Sequence, residues 1–491
     1  MDAPVIVVGA GPTGLVLAAE LRLGGVDVIV LERLPERSTR SRGLGYTARV
    51  VEMFDQRGLL PRFGSIETSA RGHFGGIPLD YSVLEDCHFG ARGIPQTQVE
   101  AVLEAWAVET GADIRRSTEV VGLHDDGEFV EVTADTPRGR TILRARYVVG
   151  CDGGRSTVRS LADFDAVGSD ATMEMYLADV VGAGVRARQI GERLPGGMVM
   201  SAPLGDGVDR IIVCEHGTPP ARGDRSPAFD EVADAWKRLT GESLHEATAT
   251  WVSAFGDATR QVTRYRKGNV LLAGDAAHTH LPAGGQGLSV SAQDAFNLGW
   301  KLAAVAAGHA PQELLDTYHD ERHPVGTRLL ANTRAQGLIY LGGSEVEPLR
   351  GVFEELMRIP DVARHLAGMV SGLDIRYDVG AGDHPLLGRR IPPRKLATPD
   401  GLVTTAEVLH DATAVLLDFA DDATLRAEAA PWTGGRLRIV TATPHDLAPG
   451  DPLASGDALL VRPDGYVAWT AADPIPLSSA LGRWLGRPTE S

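Results

Sequence analysis

The stretch VIVVGAGPTG, residues 5–14, decides the fold of this chain. A short β-branched run ends there in the pattern Gly-x-Gly-x-x-Gly, and a helix-forming segment follows it. In this context Gly9 allows a tight turn, Gly11 lets the backbone approach a pyrophosphate, and Gly14 lets the helix pack on the strand. A second β-branched run at 26–31 completes a βαβ unit. The sequence therefore predicts a dinucleotide-binding domain.

Glu32 stands at the end of that second run, 23 residues after Gly9. A carboxylate at this place accepts hydrogen bonds from ribose hydroxyls and repels a 2′-phosphate. The site therefore favours FAD or NAD over NADP.

Further polar residues follow this unit. Four arginines lie within 33–42, and Arg33 and Arg42 are the stronger candidates for contact with the ligand. Gln98 stands at the start of a predicted helix over 98–110. It could donate to a cofactor phosphate, or it could satisfy the backbone of its own helix start.

Two later strand patterns also end in polar, glycine-rich loops. The run 145–149 leads to CDGGRS at 151–156, which repeats a carboxylate, two glycines and a helix start. The run 270–273 leads to GDAAHTHLPAGGQG at 274–287, and a helix is predicted over 288–307. Backbone amides at such a helix start favour an anionic group, and Asp275 could accept from polyol hydroxyls. For Asp294 and Asn297, inside this helix, packing is the favoured interpretation.

Composition narrows the class of protein. The formal net charge of −17 argues against non-specific nucleic-acid binding, because phosphates would not be neutralised. Cys87, Cys151 and Cys214 form no Cys-x-x-Cys pair, so neither a disulfide framework nor a zinc site is indicated. The N-terminus enters a strand pattern directly, and no apolar run reaches the length of a membrane span. A soluble, cytoplasmic protein is expected.

Two histidine pairs, His278 with His280 and His319 with His323, do not match the spacing of a zinc-binding helix. Pro324 is moreover expected to end or kink a helix directly after the second pair. No metal site is predicted.

GAGPTG with Glu32, CDGGRS and GDAAHTHLPAGGQG, in this order, resemble the three fingerprints of the group A flavoprotein aromatic hydroxylases, the family of para-hydroxybenzoate hydroxylase. With VRPDGYVAW at 461–469, the chain resembles more narrowly the hydroxylases of aromatic polyketides in actinomycetes, of angucycline and anthracycline pathways. The family often has Leu-Asn-x-Gly after the glycine loop, where this chain has Leu288-Ser289-Val290-Ser291. A contact from the Asn side chain to the flavin is therefore not expected here.

The resemblance implies an α/β protein in which a Rossmann-like FAD-binding domain carries an inserted antiparallel β-sheet substrate domain and a C-terminal thioredoxin-like domain. The implied FAD-binding segments are 1–72, 97–172 and 261–380, and the implied substrate-domain segments are 73–96 and 173–260. The implied C-terminal domain is 381–491. It contains no cysteine, which excludes thiol exchange as its role.

The resemblance and the motifs together give a set of cofactor-binding candidates. They are Gly9, Gly11, Pro12, Thr13, Gly14, Glu32, Arg33, Arg42, Gln98, Asp152, Arg155, Asp275, Pro282, Gly285, Gly287 and Leu288. A second Gly-x-Gly-x-x-Gly is absent from the sequence, so NADPH is expected to bind transiently, as a co-substrate. In the family oxygen then gives a flavin C4a-hydroperoxide that attacks a phenolic ring, and no catalytic side chain is assigned.

Three functions stay open at the level of sequence. The first is hydroxylation of a polycyclic aromatic polyketide in antibiotic biosynthesis, with the substrate and oxygen as partners and the protein as monomer or homodimer. The second is Baeyer-Villiger oxygenation or epoxidation of a similar polyketide. The third is a non-catalytic FAD-fold binding protein. A halogenase is disfavoured, since the seven tryptophans include no Trp-x-Trp pair.

Overall fold

The computed structural model describes residues 1–40, 42–65, 68–220 and 226–488. The strands in these ranges form several sheets. In chain order they are β1 (Ala3–Val8), β2 (Val28–Leu31), β3 (Thr68–Ser69), β4 (Arg71–Phe74), β5 (Ile77–Asp80), β6 (Ala91–Arg92), β7 (Asp113–Arg115), β8 (Glu119–Asp125), β9 (Val130–Thr136), β10 (Gly139–Gly150), β11 (Ala166–Ser169), β12 (Glu174–Val181), β13 (Arg188–Leu194), β14 (Gly197–Gly205), β15 (Val208–Glu215), β16 (Thr248–Gly256), β17 (Thr259–Val262), β18 (Arg266–Lys267), β19 (Val270–Leu272), β20 (His278–Thr279), β21 (Lys395–Thr398), β22 (Gly401–Thr404), β23 (Ala414–Asp418), β24 (Leu437–Thr441), β25 (Thr443–His445), β26 (Ala458–Val461) and β27 (Val467–Thr470).

The α-helices cover these sheets and connect them. They are α1 (Pro12–Leu23), α2 (Ala48–Asp55), α3 (Gln96–Glu109), α4 (Thr157–Leu161), α5 (Phe229–Thr240), α6 (Gly287–Ala306), α7 (Asp316–Leu341), α8 (Glu347–Leu356), α9 (Pro360–Ser371), α10 (Ala423–Ala429) and α11 (Leu477–Leu485).

The central sheet has the order β18-β19-β10-β1-β2-β7, and β8 and β9 extend it beside β10. Strand β1 is parallel to both β2 and β10, and β10 is parallel to β19. Val5, Ile6 and Val7 are completely buried, as expected for a parallel strand covered on both faces. The pairings Val8↔Gly150 and Gly150↔Leu272 bring the ends of three strands to one edge of the sheet.

A second sheet, β13-β14-β15-β12-β16, is antiparallel and carries α5 on one face. The segment around β4 and β5 is antiparallel too, as the sequence predicts. It forms its own two-stranded pairs, however, and packs on α9 instead of extending the second sheet.

The C-terminal part contains a mixed four-stranded sheet, β24-β23-β26-β27, with β23 and β24 parallel. Residues 380–394 contain no helix or strand but bury Leu386, Leu387 and Ile391. The predicted fold class, an FAD-binding α/β domain with additional sheets, is confirmed.

One of the two effects expected of Pro324, the end of a helix, does not occur. Pro324 does not end a helix, because α7 continues through it to Leu341. A proline inside a helix costs about 3 kcal/mol. Buried contacts on both sides offset this cost: the Arg322 guanidinium donates to Asp294 at 2.7 Å, and the Gln336 amide oxygen accepts from the backbone N–H of Gly75 at 3.0 Å.

Candidate functional site

The first glycine loop has the geometry that its motif predicts. Gly9 has a φ of 104°, which favours glycine, and a Cβ on Gly14 would lie 2.0 Å from the carbonyl oxygen of Gly9. A Cβ on Gly11, by contrast, would meet nothing within 4 Å. Pro12 occupies the first turn of α1, where its missing N–H costs nothing. The loop is therefore closed toward the sheet and open on its outer side, as a pyrophosphate requires.

Glu32 reaches back across the end of the sheet to this loop. Its carboxylate accepts from the backbone N–H of Ala10 at 2.8 Å and from that of Leu34 at 2.9 Å. The side chain is half-buried, and a carboxylate has lone pairs beyond these two bonds. It fits a ribose whose hydroxyls donate to the same oxygens.

The second loop touches the first, since a Cβ on Gly9 would lie 2.6 Å from the carbonyl oxygen of Cys151. Asp152 serves its own helix here: one carboxylate oxygen accepts from the backbone N–H of Thr157 at 2.7 Å and of Val158 at 3.0 Å. Arg155 is exposed. The contact of Asp152 with a cofactor stays a prediction.

The third loop places Asp275 beside the first. Gly274 has a φ of 64°, and a Cβ there would lie 2.8 Å from the Thr13 hydroxyl. Asp275 is exposed although Gly274 and Ala276 on either side of it are buried. Its carboxylate accepts one hydrogen bond, at 3.1 Å, from the hydroxyl of Ser291. An ionised carboxylate can accept further hydrogen bonds beyond this one.

Helix α6 begins directly after this loop, at Gly287, and has no side-chain cap. Its first N–H groups lack partners within the helix, as at every helix start. Pro282 and Gly285, which precede it, are exposed, and a Cβ on Gly285 would meet nothing within 4 Å. Leu288 packs over Gly43, where an added Cβ would lie 2.2 Å from its side chain. These uncapped amides and bare glycines fit the polar edge of a flavin.

The two serines that depart from the family pattern both have partners. The hydroxyl of Ser289 accepts from the backbone N–H of Thr47 at 2.9 Å, at the start of α2. Ser291 instead donates to Asp275. One departure therefore ties α6 to α2, and the other orients a predicted cofactor ligand, which the sequence did not indicate.

The other predicted polar residues are more dispersed. Arg33 is exposed. Gln98 is also exposed, lies inside α3 and donates to the carbonyl of Phe63 at 3.2 Å. Arg42 crosses to the second sheet, where it donates to the Ser253 hydroxyl at 2.9 Å. Burial, and then the charge of Arg155, lower the pKa of Arg42, so the two cations lie near each other.

Beneath the third loop lies a completely buried carboxylate, Asp294 of α6. It accepts from the backbone N–H of Gly274 at 3.1 Å, contacts Nε2 of His278 at 2.7 Å and pairs with Arg322 at 2.7 Å. Burial alone would raise the pKa of Asp294, but Arg322 and His278 bring it below its usual range. The packing interpretation holds, yet this residue also fixes the turn that presents Asp275. In the sequence, the only sign of this role of Asp294 was its position inside a predicted helix.

A larger buried ion network lies farther along the same helix. Glu321 pairs with Arg462 at 2.5 Å and with Lys301 at 2.8 Å, and Asn297 donates to Glu321 at 2.6 Å. Asp464 accepts from Asn297 at 3.2 Å and pairs with Arg462. Arg462 and Asp464 belong to the VRPDGYVAW segment. This network therefore joins the C-terminal part to α6.

Within the described ranges, no group of three or more His, Cys, Asp or Glu side chains could hold a metal ion. The rings of His319 and His323 lie 4.7 Å apart, and those of His278 and His280 lie 6.4 Å apart. The same ranges include no helix that is both long and apolar enough to span a membrane.

Comparison with known families agrees with this geometry. Residues 2–333 match the model of an FAD-binding domain, and residues 384–488 match that of the aromatic-ring hydroxylase C-terminal domain.

Individual proteins resemble the chain over its whole length. Anhydrotetracycline monooxygenase of Streptomyces rimosus is 42% identical, with 99% of each chain covered. The crystal structure of CabE, an aromatic hydroxylase from angucycline biosynthesis, is 59% identical with a TM-score of 0.97 and 100% of both chains covered. Aklavinone-11 hydroxylase, solved in a ternary complex with FAD and aklavinone, is 26% identical with a TM-score of 0.81 and 99% of each chain covered.

Proposed function

This chain belongs to the family of FAD-dependent aromatic-ring hydroxylases, and we propose that it hydroxylates a polycyclic aromatic polyketide with NADPH and molecular oxygen. The observation that carries the proposal is the meeting of three loops at one sheet edge, in front of a helix start without a side-chain cap. The names of the full-length relatives, which include an angucycline and a tetracycline enzyme, support the substrate class.

The proposal gives each loop one part of FAD. Glu32 and the first glycine loop take the ribose and the pyrophosphate, Asp275 takes the ribityl hydroxyls, and the amides at the start of α6 take the flavin edge. Arg42 and Arg155 supply positive charge nearby, on the route that NADPH shares. Bound FAD, reduced by NADPH, supplies the activation of oxygen.

The proposed contribution of the protein itself is to orient the bound groups and to exclude water from them. Asp275 is fixed by Ser291, and the turn that carries it is fixed by Asp294. The second sheet covers the crevice through Arg42 and Ser253 and keeps water from the reacting ring. The described residues place no acid or base that the reaction must use, so orientation is the proposed role of the chain.

The proposed setting is the cytoplasm, with the chain as monomer or homodimer and without a nucleic-acid or membrane partner. The net charge of −17 and the three free cysteines support this setting. Sedimentation of the purified protein would distinguish the two oligomeric states.

The test begins with the absorption spectrum of the purified protein, which is expected to show bound flavin. Anhydrotetracycline and aklavinone are then supplied with NADPH and ¹⁸O₂, and products are identified by mass spectrometry and NMR. A phenol that carries one ¹⁸O supports the proposal. A lactone or an epoxide would favour the alternative oxygenations, and a colourless protein that takes up no FAD would contradict both.

A further inference from the structure

One face of the second sheet is turned toward the FAD-binding segments, and its residues form three rows across the strands. The strand register defines the first row as Phe255, Met175, Cys214 and Met198. The middle row is Ser253, Leu177, Ile212 and Met200, and the third row is Trp251, Asp179, Arg210 and Ala202. The opposite face is covered by α5, whose Trp236 is completely buried. Only the first face is therefore available to a ligand in the crevice.

The first row packs against the loop that precedes α6. Leu281 and Ala283 of that loop, together with Tyr340 of α7, form one apolar cluster with Met175, Met198 and Cys214. Phe255 and Met200 lie at the edge of this cluster and remain half-buried. The first row thus fixes one end of the sheet face beside the proposed flavin edge.

The third row fixes the other end. Asp179 and Arg210 form a two-point ion pair, with both N–O distances 2.8 Å. Arg210 also donates to the carbonyl of Arg42 at 3.1 Å, and Arg42 donates in turn to Ser253. The sheet face is therefore held to the FAD-binding segments at both ends.

The middle row lies between these two attachments and is mainly apolar. Ile212 and Met200 stand opposite each other and are half-buried, whereas Leu177 is buried. An unbranched thioether adapts to irregular surfaces and makes favourable contacts with aromatic rings. Apart from Ser253 at its end, this row is an apolar floor that suits ring faces.

A polar side chain of the β4–β5 hairpin, His73, lies beside Tyr340, which packs on the first row. The ring centroid of His73 lies 5.6 Å from that of Tyr340, and Cα atoms of β4 come within 8 Å of the turn Ala283–Gly285. Nδ1 of His73 accepts from the backbone N–H of Gly76 at 3.2 Å. The proton of the neutral ring is therefore assigned to Nε2, which makes this atom a donor. Burial lowers the pKa of His73, which favours the neutral ring.

We propose, on the basis of the proposed function, that the middle row of the second sheet is the floor under the aromatic rings of the substrate, and that Nε2–H of His73 donates to an oxygen borne by one of these rings. The apolar floor gives affinity without fixing an orientation. The single donor then selects which ring edge is presented to the flavin.

The test measures binding separately from turnover, by titrating anhydrotetracycline and aklavinone into the FAD-loaded enzyme and following the flavin absorption. His73→Phe keeps an aromatic ring without the donor, and we expect about tenfold weaker binding, the range of one hydrogen bond. It is also expected to release more hydrogen peroxide per NADPH. His73→Gln, which keeps a donor, should recover part of the affinity.

Ile212→Ala tests the floor, and Val252→Ala is its matched control. Both are half-buried, β-branched aliphatic residues of the second sheet, but Val252 faces α5. We expect several-fold weaker binding for Ile212→Ala and less than a twofold change for Val252→Ala, with equal FAD content. Wild-type affinity in both His73→Phe and Ile212→Ala would overturn this inference and leave the proposed function standing. A wild-type enzyme that neither binds nor oxidises any tested polyketide would overturn the proposed function and the inference with it.

Discussion

Helix α6 serves two regions that differ in how their polar groups are satisfied. At its start, bare amides and the exposed Asp275 face a crevice with few partners from the protein. Farther along, Asn297 and Lys301 are buried and every charge around them is paired. This difference separates ligand binding from structure. The polar groups of the first region are left available to bind a cofactor, and those of the second region bind one another and join α6 to the C-terminal part.

The largest expected effect comes from breaking the buried region. Arg462→Ala removes the cation shared by Glu321 and Asp464, and a broken buried ion pair costs about 3–5 kcal/mol. We expect a large fall in the urea midpoint of unfolding, or insoluble protein. Arg140→Ala is the control, because its pair with Asp135 is exposed and little change is expected. Equal stability of the two variants would show that the network is not structural.

The pH dependence of stability tests the same region without a mutation. Burial would raise the pKa of Glu321, but Arg462 and Lys301 lower it from 4.5 to about 2. The stabilisation from Glu321 is therefore complete above pH 4.5 and is lost as the pH falls toward 2, by about 3 kcal/mol. Urea midpoints measured from pH 6 downward should fall across this window. A midpoint independent of pH there would contradict the pairing.

Lys301 titrates in a different window, and there too stability is expected to rise with pH. Burial, which disfavours its charged form, lowers its pKa from 10.5 to about 8. A lowered pKa in the folded state means that stability rises as the pH goes from about 8 toward 10.5. Lys301→Met should lack this rise, and an unchanged alkaline profile in that variant would assign the effect to another group.

Asp275→Ala tests whether the exposed region binds FAD. Loss of a charged acceptor of ribityl hydroxyls should weaken FAD retention about 10- to 100-fold, as expected for hydrogen bonds to a charged group. The folded apoprotein should keep its unfolding midpoint, because Asp275 is exposed. FAD content after gel filtration measures the effect, with the exposed Asp320→Ala as control. Wild-type flavin content in Asp275→Ala would remove Asp275 from the site.

The smallest expected effects are those of replacing Ser291 and Ser289 by alanine. Ser291→Ala deletes the hydroxyl that orients Asp275, so FAD affinity should fall only a few-fold. Ser289→Ala deletes the hydroxyl that accepts from Thr47 and should lower stability slightly without changing FAD affinity. Equal FAD affinities in the two variants would contradict this division.

The loop geometry of the exposed region could be predicted because its determinants are local, whereas its contacts with FAD stay predictions. Gly9, Gly11 and Gly274 are required by turns of a few residues, and parallel strands bring their carboxyl ends to one edge whatever lies between them. The interpretation of Glu32 as an acceptor for ribose hydroxyls needed only one βαβ unit, and it stays a prediction.

The buried region escaped prediction because its partners are distant in the chain. Glu321 and Arg462 are separated by 141 residues, and Arg42 and Ser253 by 211. No local pattern distinguishes a solvated lysine of a helix from a buried and paired lysine such as Lys301. The continuation of α7 through Pro324 escaped prediction for the same reason, since long-range contacts outweigh the local cost of the proline.

The loop that contains Arg462 and Asp464 also bears on the order in which the molecule is made. During synthesis the chain emerges from its N-terminus, so Asn297 and Glu321 leave the ribosome well over a hundred residues before Asp464 and Arg462. Until then Glu321 can pair with Lys301 but not with Arg462. The packing of α6 and α7 against residues 462–464 is therefore completed only after the last part of the chain has been made.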